Sequence, residues 1–268
     1  MSADTTEPSD MTVEPRVPVY LMAAPIGEHV GDMSMTVMKL VRSLSLLLVE
    51  DTGPDEGNSL VGTLKSSGVI GTGQTLIPID NSPPDSSILQ AIDRCIEAGQ
   101  PFGLLPDRGI SCFVDPGAKV VQYLIDHHRD RIELVPVGAS SALDAAIMMS
   151  GVDCTFFSFM GHFPEQYRWP VDSLCAGIPV VSYVRFDSAA RFWQAARSTI
   201  GDPSGLRISF FRNIRGRRRR FQGNFPLDMD PATTGFPGFD PRDLEGTGSD
   251  NFVAMIHPPW FVEDSWRG

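Results

Sequence analysis

The chain has 268 residues, which is enough for one large domain or two modest ones. Hydrophobic residues make up 42% of it, and this content excludes intrinsic disorder over most of its length. The formal net charge is -11, so a surface that binds nucleic acid everywhere is excluded and any such contact must be local.

The first half alternates short apolar runs with segments of helical periodicity. The apolar runs predict strands at 17–23, 46–49, 75–79, 101–105 and 131–135. Helices are predicted after a plausible N-cap at Asp32, around Ile88–Ile96 and around Val120–Ile125. Strands that alternate with helices in this way indicate βαβ units and a mostly parallel sheet.

The second half has a different pattern of predicted elements, with more strands than helices. A helix is predicted at 140–150 and another at 189–199, and aromatic, strand-like runs occupy 155–159, 179–184, 206–211 and 252–256. The segment 227–249 is rich in Pro, Gly and Asp and predicts a long surface loop. We therefore predict a disordered tail at 1–16, an N-terminal α/β domain at 17–137, and a C-terminal α/β domain with a mixed sheet at 138–268.

The four cysteines disfavour a zinc site because none belongs to a CxxC pair or a Cys/His cluster. Each lies in or beside an apolar run, which favours buried, reduced thiols. The acidic N-terminus lacks the apolar core of a signal peptide, and no apolar run reaches the roughly 18 residues of a membrane span. A soluble, cytoplasmic protein with no metal and no membrane contact is expected.

Four turns follow the predicted strands of the first half. In open parallel sheets, ligands gather outside the carboxyl ends of the strands. Gly and Asp occur in turns for purely conformational reasons, but four such turns at one edge favour a ligand-binding rim. These turns are Pro25–Gly27, Glu50–Gly53, Asp107–Ser111 and Val137–Ser141.

Some motifs can be excluded and one stays open. Asp51–Gly53 has the aspartic-protease triplet, but that chemistry needs two such carboxylates and this chain has one triplet. The glycines near Gly27 match neither a Walker loop nor GxGxxG. The run Arg212–Arg220 is the one basic concentration in an acidic chain. It is either a solvated loop between two strands or a patch that contacts phosphates.

The order of five short segments carries a resemblance to a known family. They are Tyr20–Gly27 with Gly31–Ser34, Val49–Thr52, Pro106–Ser111 with Asp115–Gly117, Val135–Ala142, and Gly161–Pro164. Together they resemble the tetrapyrrole methylase superfamily of S-adenosylmethionine-dependent methyltransferases. Within it, they are most similar to the branch that methylates the ribose 2′-hydroxyl of a cytidine in 16S ribosomal RNA. The resemblance covers about residues 17–168.

The resemblance implies a two-domain tetrapyrrole-methylase-like fold, a homodimer, and S-adenosylmethionine in the cleft between the domains. Pro25 and Gly27 would let the backbone approach the cofactor, and Asp51 would position or deprotonate an acceptor hydroxyl, or serve only the turn. The remaining implied cofactor contacts are Asp107, Arg108, Gly109, Ile110, Ser111, Ser140 and Ser141. Because a rim turn buries few apolar atoms, replacing Asp107 is expected to weaken cofactor binding and to change stability little. If Asp107 instead serves the turn, its replacement should lower the melting temperature and leave binding unchanged.

Two departures from the branch widen the functional alternatives. Gly53 replaces an Arg, and Arg108 introduces a large cation into the expected cofactor cleft. The alternatives are a methyltransferase for a small molecule or peptide, or a non-catalytic binding module that keeps the fold and fills its cofactor pocket with Arg108. Contact with RNA would require the Arg212–Arg220 loop.

Overall fold

The computed structural model describes residues 15–27, 29–50, 59–163, 169–185, 188–212, 220–229 and 251–258. Nearly all of the predicted tail and most of the predicted 227–249 loop lie outside these ranges. The strands are β1 Val17–Ala24, β2 Leu46–Glu50, β3 Thr75–Ile79, β4 Phe102–Leu105, β5 Gly109–Ile110, β6 Ile132–Val137, β7 Ser158–His162, β8 Val180–Arg185, β9 Arg207–Arg212, β10 Arg220–Pro226 and β11 Asn251–His257. The helices are α1 Met35–Ser43, α2 Leu60–Ser66, α3 Ser86–Glu97, α4 Gly117–His128, α5 Ala142–Ser150, α6 Val171–Cys175 and α7 Ala189–Thr199.

The first sheet is parallel in the order β3-β2-β4-β1-β6, and the short strand β5 pairs antiparallel with the end of β1. The central strands β2 and β4 are apolar runs buried on both faces, as expected for a sheet covered by helices on both sides. The alternation of strands and helices predicted for the first half is confirmed.

Helices cover the two faces of this sheet in separate groups. On one face, Val37 and Val41 of α1 and Leu64 of α2 share a core with Met22 and Leu47. On the other face, α3, α4 and α5 pack against the opposite side chains of the same strands, such as Leu21 and Leu48 in the larger core. Helices that leave on opposite faces open a crevice at the strands' carboxyl ends.

The second sheet has the order β10-β9-β11-β8-β7, with β7 and β8 parallel and the other pairs antiparallel. It is therefore mixed, as predicted. Side chains alternate along β11: Val253 and Met255 join the core that contains α5, whereas Ala254 and Ile256 join the core around Trp193. Helix α5 thus packs between the two sheets, while α6 and α7 cover the outer face of the second.

Two local expectations are corrected, on the N-cap of α1 and on the cysteines, and helix α2 is an addition to the prediction. The N-cap of α1 is Ser34, whose hydroxyl accepts the Val37 N–H at 3.2 Å, and not Asp32, which ends a 3₁₀ turn. Helix α2 was not predicted, because Gly62 interrupts a weakly periodic segment. Buried thiols are found at Cys112 and Cys154. The other two cysteines differ from expectation, with Cys95 half-buried and Cys175 exposed.

Candidate functional site

The carboxyl ends of β1, β4 and β6 lie side by side. Leu21 of β1 pairs with Leu104 of β4, and Met22 pairs with Val137 of β6. The turn after β4 then folds back as β5, so that Ala24 pairs with Gly109. The structure therefore brings together three of the four predicted rim turns, those after β1, β4 and β6. The turn after β2 begins at Glu50, and its following residues, including Asp51, lie outside the described ranges.

Asp107 ties this edge together. Its Oδ1 accepts the Leu60 N–H at 2.6 Å, at the first residue of α2, and its own N–H donates to Glu50 Oε2 at 2.9 Å. These contacts join the ends of β2 and β4 to the start of α2. These contacts count against the expectation that Asp107 matters little for stability, since the N-terminus of α2 uses its carboxylate. Sequence reasoning missed this contact because it spans 47 positions of the chain.

Arg108 lies at the surface of the edge. Its Nε is 3.6 Å from Asp107 Oδ2, and its side chain is 59% exposed. An ion pair this exposed contributes less than about 1 kcal/mol. The guanidinium is thus not buried in the crevice, and a cation that plugs a cofactor pocket would have to be.

In the rest of the turn after β4, one residue is used by the fold and another borders free space. Ser111 is 1% exposed, and its hydroxyl donates to the Met22 carbonyl at 3.2 Å, so it fastens the turn to β1. Gly109 has a φ of +72°, and no heavy atom lies within 4 Å of where a Cβ would be. The left-handed conformation needs glycine here, and the space beside it is free for a ligand. Ile110 is half-buried beside Ala23.

The turn after β6 is pre-arranged by a capping box. Ser141 Oγ accepts the Asp144 N–H at 3.1 Å, and Asp144 Oδ2 accepts the N–H groups of Ser140 at 3.1 Å and Ser141 at 3.0 Å. The Ser141 hydroxyl therefore begins α5, whereas Ser140 is exposed. Gly138, with φ +85°, lets this turn approach β1, because a Cβ would lie 3.0 Å from the Cβ of Ala23.

The turn after β1 is the most open part of the edge. Pro25 is half-buried, Gly27 is exposed, and Ile26 between them is 82% exposed. A Cβ at Gly27 would lie 3.3 Å from Asp32 Oδ2, so the glycine allows close backbone approach on this side.

Of the basic run, residues 213–219 and the side chains of Arg212 and Arg220 lie outside the described part of the chain.

Asp115 follows the rim turn in a strained loop. Cys112 and Val114 have positive φ angles of 71° and 53°, which non-glycine residues rarely adopt. Asp115 Oδ1 holds this loop by accepting the N–H groups of Cys112 at 3.0 Å and Gly117 at 2.8 Å. Burial raises the pKa of Asp115 to about 6, the two hydrogen bonds oppose this, and the negative charge of Glu50 adds to it.

We expect Asp115→Asn to stabilise the protein at pH 8. The pKa of Asp115 is higher in the folded than in the unfolded chain, so ionisation costs the fold stability as pH rises through the range from 3.8 to about 6. An amide oxygen can still accept both N–H groups but carries no charge. The advantage of Asn in urea unfolding should grow by about 1–2 kcal/mol between pH 5 and pH 8. Asp115→Ala, which removes the acceptor, should destabilise at both pH values; an Asn advantage independent of pH would contradict the account.

A cavity of about 680 Å³ lies beyond this loop, and none of the nine predicted cofactor-binding residues lines it. It is lined mainly by the first turns of α4, the segment after α5 and the turn before β8. Its lining includes Asp115, Lys119, Val152, Asp153, Phe156 and Pro179. The predicted cofactor contacts instead form the open edge described above.

The described residues contain neither a metal-binding cluster nor a membrane-spanning helix. No group of three or more His, Cys, Asp or Glu side chains there is arranged to hold a metal ion. Within the same residues, no helix is long and apolar enough to cross a membrane.

Curated proteins with one shared name are similar to this chain. Ribosomal RNA small subunit methyltransferase I from Xylella fastidiosa is 27% identical over 148 residues, which are 55% of this chain and 50% of that protein. The protein of the same name from Synechocystis is 29% identical over 150 residues, or 56% and 49% of the two chains. The resemblance to the tetrapyrrole methylase superfamily is confirmed. The chain spans about half the length of these tetrapyrrole methylase relatives.

Other comparisons add little. No protein-family model matches the chain. Among solved structures, the methyltransferase CobJ is 12% identical over 94% of this chain and 98% of its own, with a TM-score of 0.34. Uroporphyrin-III C-methyltransferase from Thermus thermophilus, complexed with S-adenosylhomocysteine, is 14% identical over 90% and 97%, with a TM-score of 0.33. At such TM-scores the likeness carries no argument about the site.

Proposed function

We propose that this chain is an S-adenosylmethionine-dependent methyltransferase. The cofactor would lie at the carboxyl edge of the first sheet, between the turns after β1, β4 and β6. One observation carries the proposal: over about 150 residues the chain is similar to several proteins that share the name ribosomal RNA small subunit methyltransferase I. The position of these turns supports it, because open parallel sheets bind ligands at the carboxyl ends of their strands.

The groups at this edge fit the chemistry of the cofactor. S-adenosylmethionine carries a cationic sulfonium and an ammonium group, and Glu50 and Asp107 place two carboxylates at the edge. Gly109 leaves open space beside the backbone, and the exposed Ser140 offers a hydroxyl for polar groups. When bound, the cofactor would supply an electrophilic methyl group.

The chain's own residues would then orient the reactants. Methyl transfer is an in-line displacement that depends mainly on near-attack geometry, and a hydroxyl acceptor also needs a base. The Asp107 carboxylate is held at the edge by the Leu60 N–H, and the Asp107 backbone is held there by its own N–H, which donates to Glu50. Asp51 follows Glu50 directly in the chain, and we assign it the positioning or deprotonation of the acceptor hydroxyl.

Calorimetric titration with S-adenosylhomocysteine tests the cofactor proposal. We expect micromolar affinity, and no binding at millimolar ligand would overturn the proposal. The Arg108→Ala variant is titrated in parallel to test whether Arg108 fills the cofactor pocket. Because Arg108 is exposed, its removal should leave the affinity within about threefold. If binding appears only in Arg108→Ala, the chain is instead a non-catalytic module with a filled pocket.

For the methyl acceptor, we propose the 2′-hydroxyl of a cytidine in 16S ribosomal RNA, approached through the Arg212–Arg220 run. Support comes from the relatives' name and from this local basic run in an acidic chain. A cytoplasmic location and a homodimer belong to the same proposal, and light scattering on the purified protein tests the dimer.

The salt dependence of RNA affinity should show whether the basic run contacts RNA. If Z phosphates are neutralised, log affinity falls with log salt by a slope of about −0.7Z to −0.9Z. Replacing Arg217, Arg218, Arg219 and Arg220 together by Ser should flatten that slope by about 3 in filter-binding or anisotropy titrations. The matched control replaces exposed arginines elsewhere, Arg42 and Arg94, and should leave the slope unchanged. An unchanged slope in the fourfold variant would favour a small-molecule or peptide acceptor.

A further inference from the structure

The cavity of about 680 Å³ beside α4 has a size typical of small-molecule sites. Three parts of the chain that are distant in sequence supply most of its lining: α4 with the loop before it, the segment after α5, and the turn before β8. Asn81 and Pro258 supply the rest. It combines apolar walls, such as Val152 and Pro179, with a few charged groups and one aromatic ring. This composition is what a planar, polar-edged ligand requires.

Asp115 lines the cavity and keeps one carboxylate oxygen that no described residue uses. Its Oδ1 accepts two backbone N–H groups, from Cys112 and Gly117, which fix the carboxylate in place. Its Oδ2 has no donor among the described residues and keeps contact with solvent. With a pKa of about 6, raised by burial, the group is ionised at pH 8 and can then only accept. A ligand N–H group is its natural complement.

Phe156 offers a flat apolar surface at the same cavity. Its side chain is 73% exposed, the second-largest exposure among the large hydrophobic residues described. It has no ring partner within the described residues, whereas neighbouring Phe157 stacks edge-on with Phe113. An exposed ring beside a cavity can stack on an aromatic ligand, and such stacking stabilises bound bases.

Two opposite charges complete the lining. Lys119 donates from Nζ to the Asn81 carbonyl and pairs with no carboxylate in the described ranges. Asp153 is exposed, and its Oδ1 accepts the N–H and hydroxyl of Thr155. The ammonium suits a phosphate, and the carboxylate suits ribose hydroxyl donors.

We infer that this cavity binds a nucleotide whose base carries an exocyclic amino group, that is, a cytosine, adenine or guanine nucleotide. The base stacks on Phe156, its amino group donates to Asp115, and its phosphate lies toward Lys119. A uracil presents a carbonyl oxygen where cytosine has the amino group, so Asp115 repels it. The nucleotide is either free or part of a single-stranded RNA, and only the second source rests on the proposed function.

Titrations of the full chain at pH 8 with CMP, AMP and UMP test this inference. We expect CMP or AMP to bind at least fivefold more tightly than UMP. Phe156→Ala should weaken that binding at least fivefold, in line with base stacking. Phe159→Ala is the matched control, since Phe159 is 45% exposed but does not line the cavity, and it should bind as the natural chain does. Equal affinity for CMP, AMP and UMP, or no effect of Phe156→Ala, would overturn the inference.

Asp115→Asn adds an independent test of base selectivity. The amide can still accept from Cys112 and Gly117 but now presents N–H donors, so the preference for CMP over UMP should vanish or reverse. Circular dichroism confirms that each variant is folded. A preference that survives in the folded Asn variant would contradict the assignment.

Two further measurements separate this inference from the cofactor proposal. S-adenosylhomocysteine at a concentration that just fills its high-affinity site should leave CMP binding unchanged, and displacement of CMP at that concentration would overturn the inference because the cavity would be the cofactor's own. CMP binding without any S-adenosylhomocysteine binding would sink the methyltransferase proposal alone. An oligocytidine that binds more tightly than CMP, and loses this gain in Phe156→Ala, assigns RNA as the source; equal affinity assigns the free nucleotide.

Discussion

Gly151→Ala is expected to destabilise the protein by about 3 kcal/mol. Gly151 ends α5 with a φ of +65°, a conformation that costs an alanine about 1 kcal/mol. A Cβ there would also lie 2.9 Å from the backbone nitrogen of Gln122 and 3.0 Å from its Cα. Those atoms belong to the buried helix α4 and cannot move aside, so overpacking adds to the strain. The substitution should therefore force α5 away from α4.

Gly99→Ala isolates the conformational part of this effect. Gly99 follows α3 with the same φ of +65°, but no heavy atom lies within 4 Å of its would-be Cβ. It should therefore lose only about 1 kcal/mol in urea unfolding followed by circular dichroism. Similar losses for the two variants would show that the approach of α5 to α4 is not constrained as described.

Asp107→Ala is expected to lower both stability and cofactor affinity. The Leu60 N–H loses its acceptor at the start of α2, which should cost about 1–2 kcal/mol of unfolding free energy. Under the proposed function, loss of the carboxylate should also weaken S-adenosylhomocysteine binding by about 1.5–3 kcal/mol. Thermal unfolding and calorimetric titration on the same sample measure the two effects.

Asp107→Asn separates the two roles. Its amide oxygen can still accept the Leu60 N–H, so stability should stay within about 0.5 kcal/mol of the natural chain. The negative charge is gone, and cofactor affinity should fall nearly as far as in the Ala variant. If affinity is unchanged in both variants while stability falls in Asp107→Ala, Asp107 serves the fold alone.

Local patterns in the sequence predicted most of the regular elements. The strand at Thr75–Ile79 and the helix at Ala189–Thr199 match the prediction in both bounds, because hydrophobic periodicity is a local property of the chain. The missed helix α2 shows the limit of such patterns. Its weakly periodic segment depends on burial of Leu60 and Leu64 and on an acceptor, Asp107, from the turn after β4.

The sequence likewise predicted only part of the candidate site. The sequence indicated that the turns after β1, β4 and β6 share one edge, since parallel strands align their carboxyl ends. It could not indicate that Ser111 is fastened to Met22, or that Asp144 holds the N–H groups of Ser140 and Ser141. Which hydroxyls remain for a ligand depends on these partners, and partner choice is settled only when the chain packs.

Local sequence patterns are enough to predict the alternation of strands and helices, the acidic surface with one basic run, and the motifs at the strand ends. The order β3-β2-β4-β1-β6, the contact between Asp107 and Leu60, and the cavity lined by Asp115 and Phe156 emerge only in the folded chain. The two groups differ in the distance along the chain over which their interactions act. Periodicity and turn chemistry act over a few residues, whereas strand order and cavities result from the packing of helices on both faces of a sheet, between segments far apart in the chain.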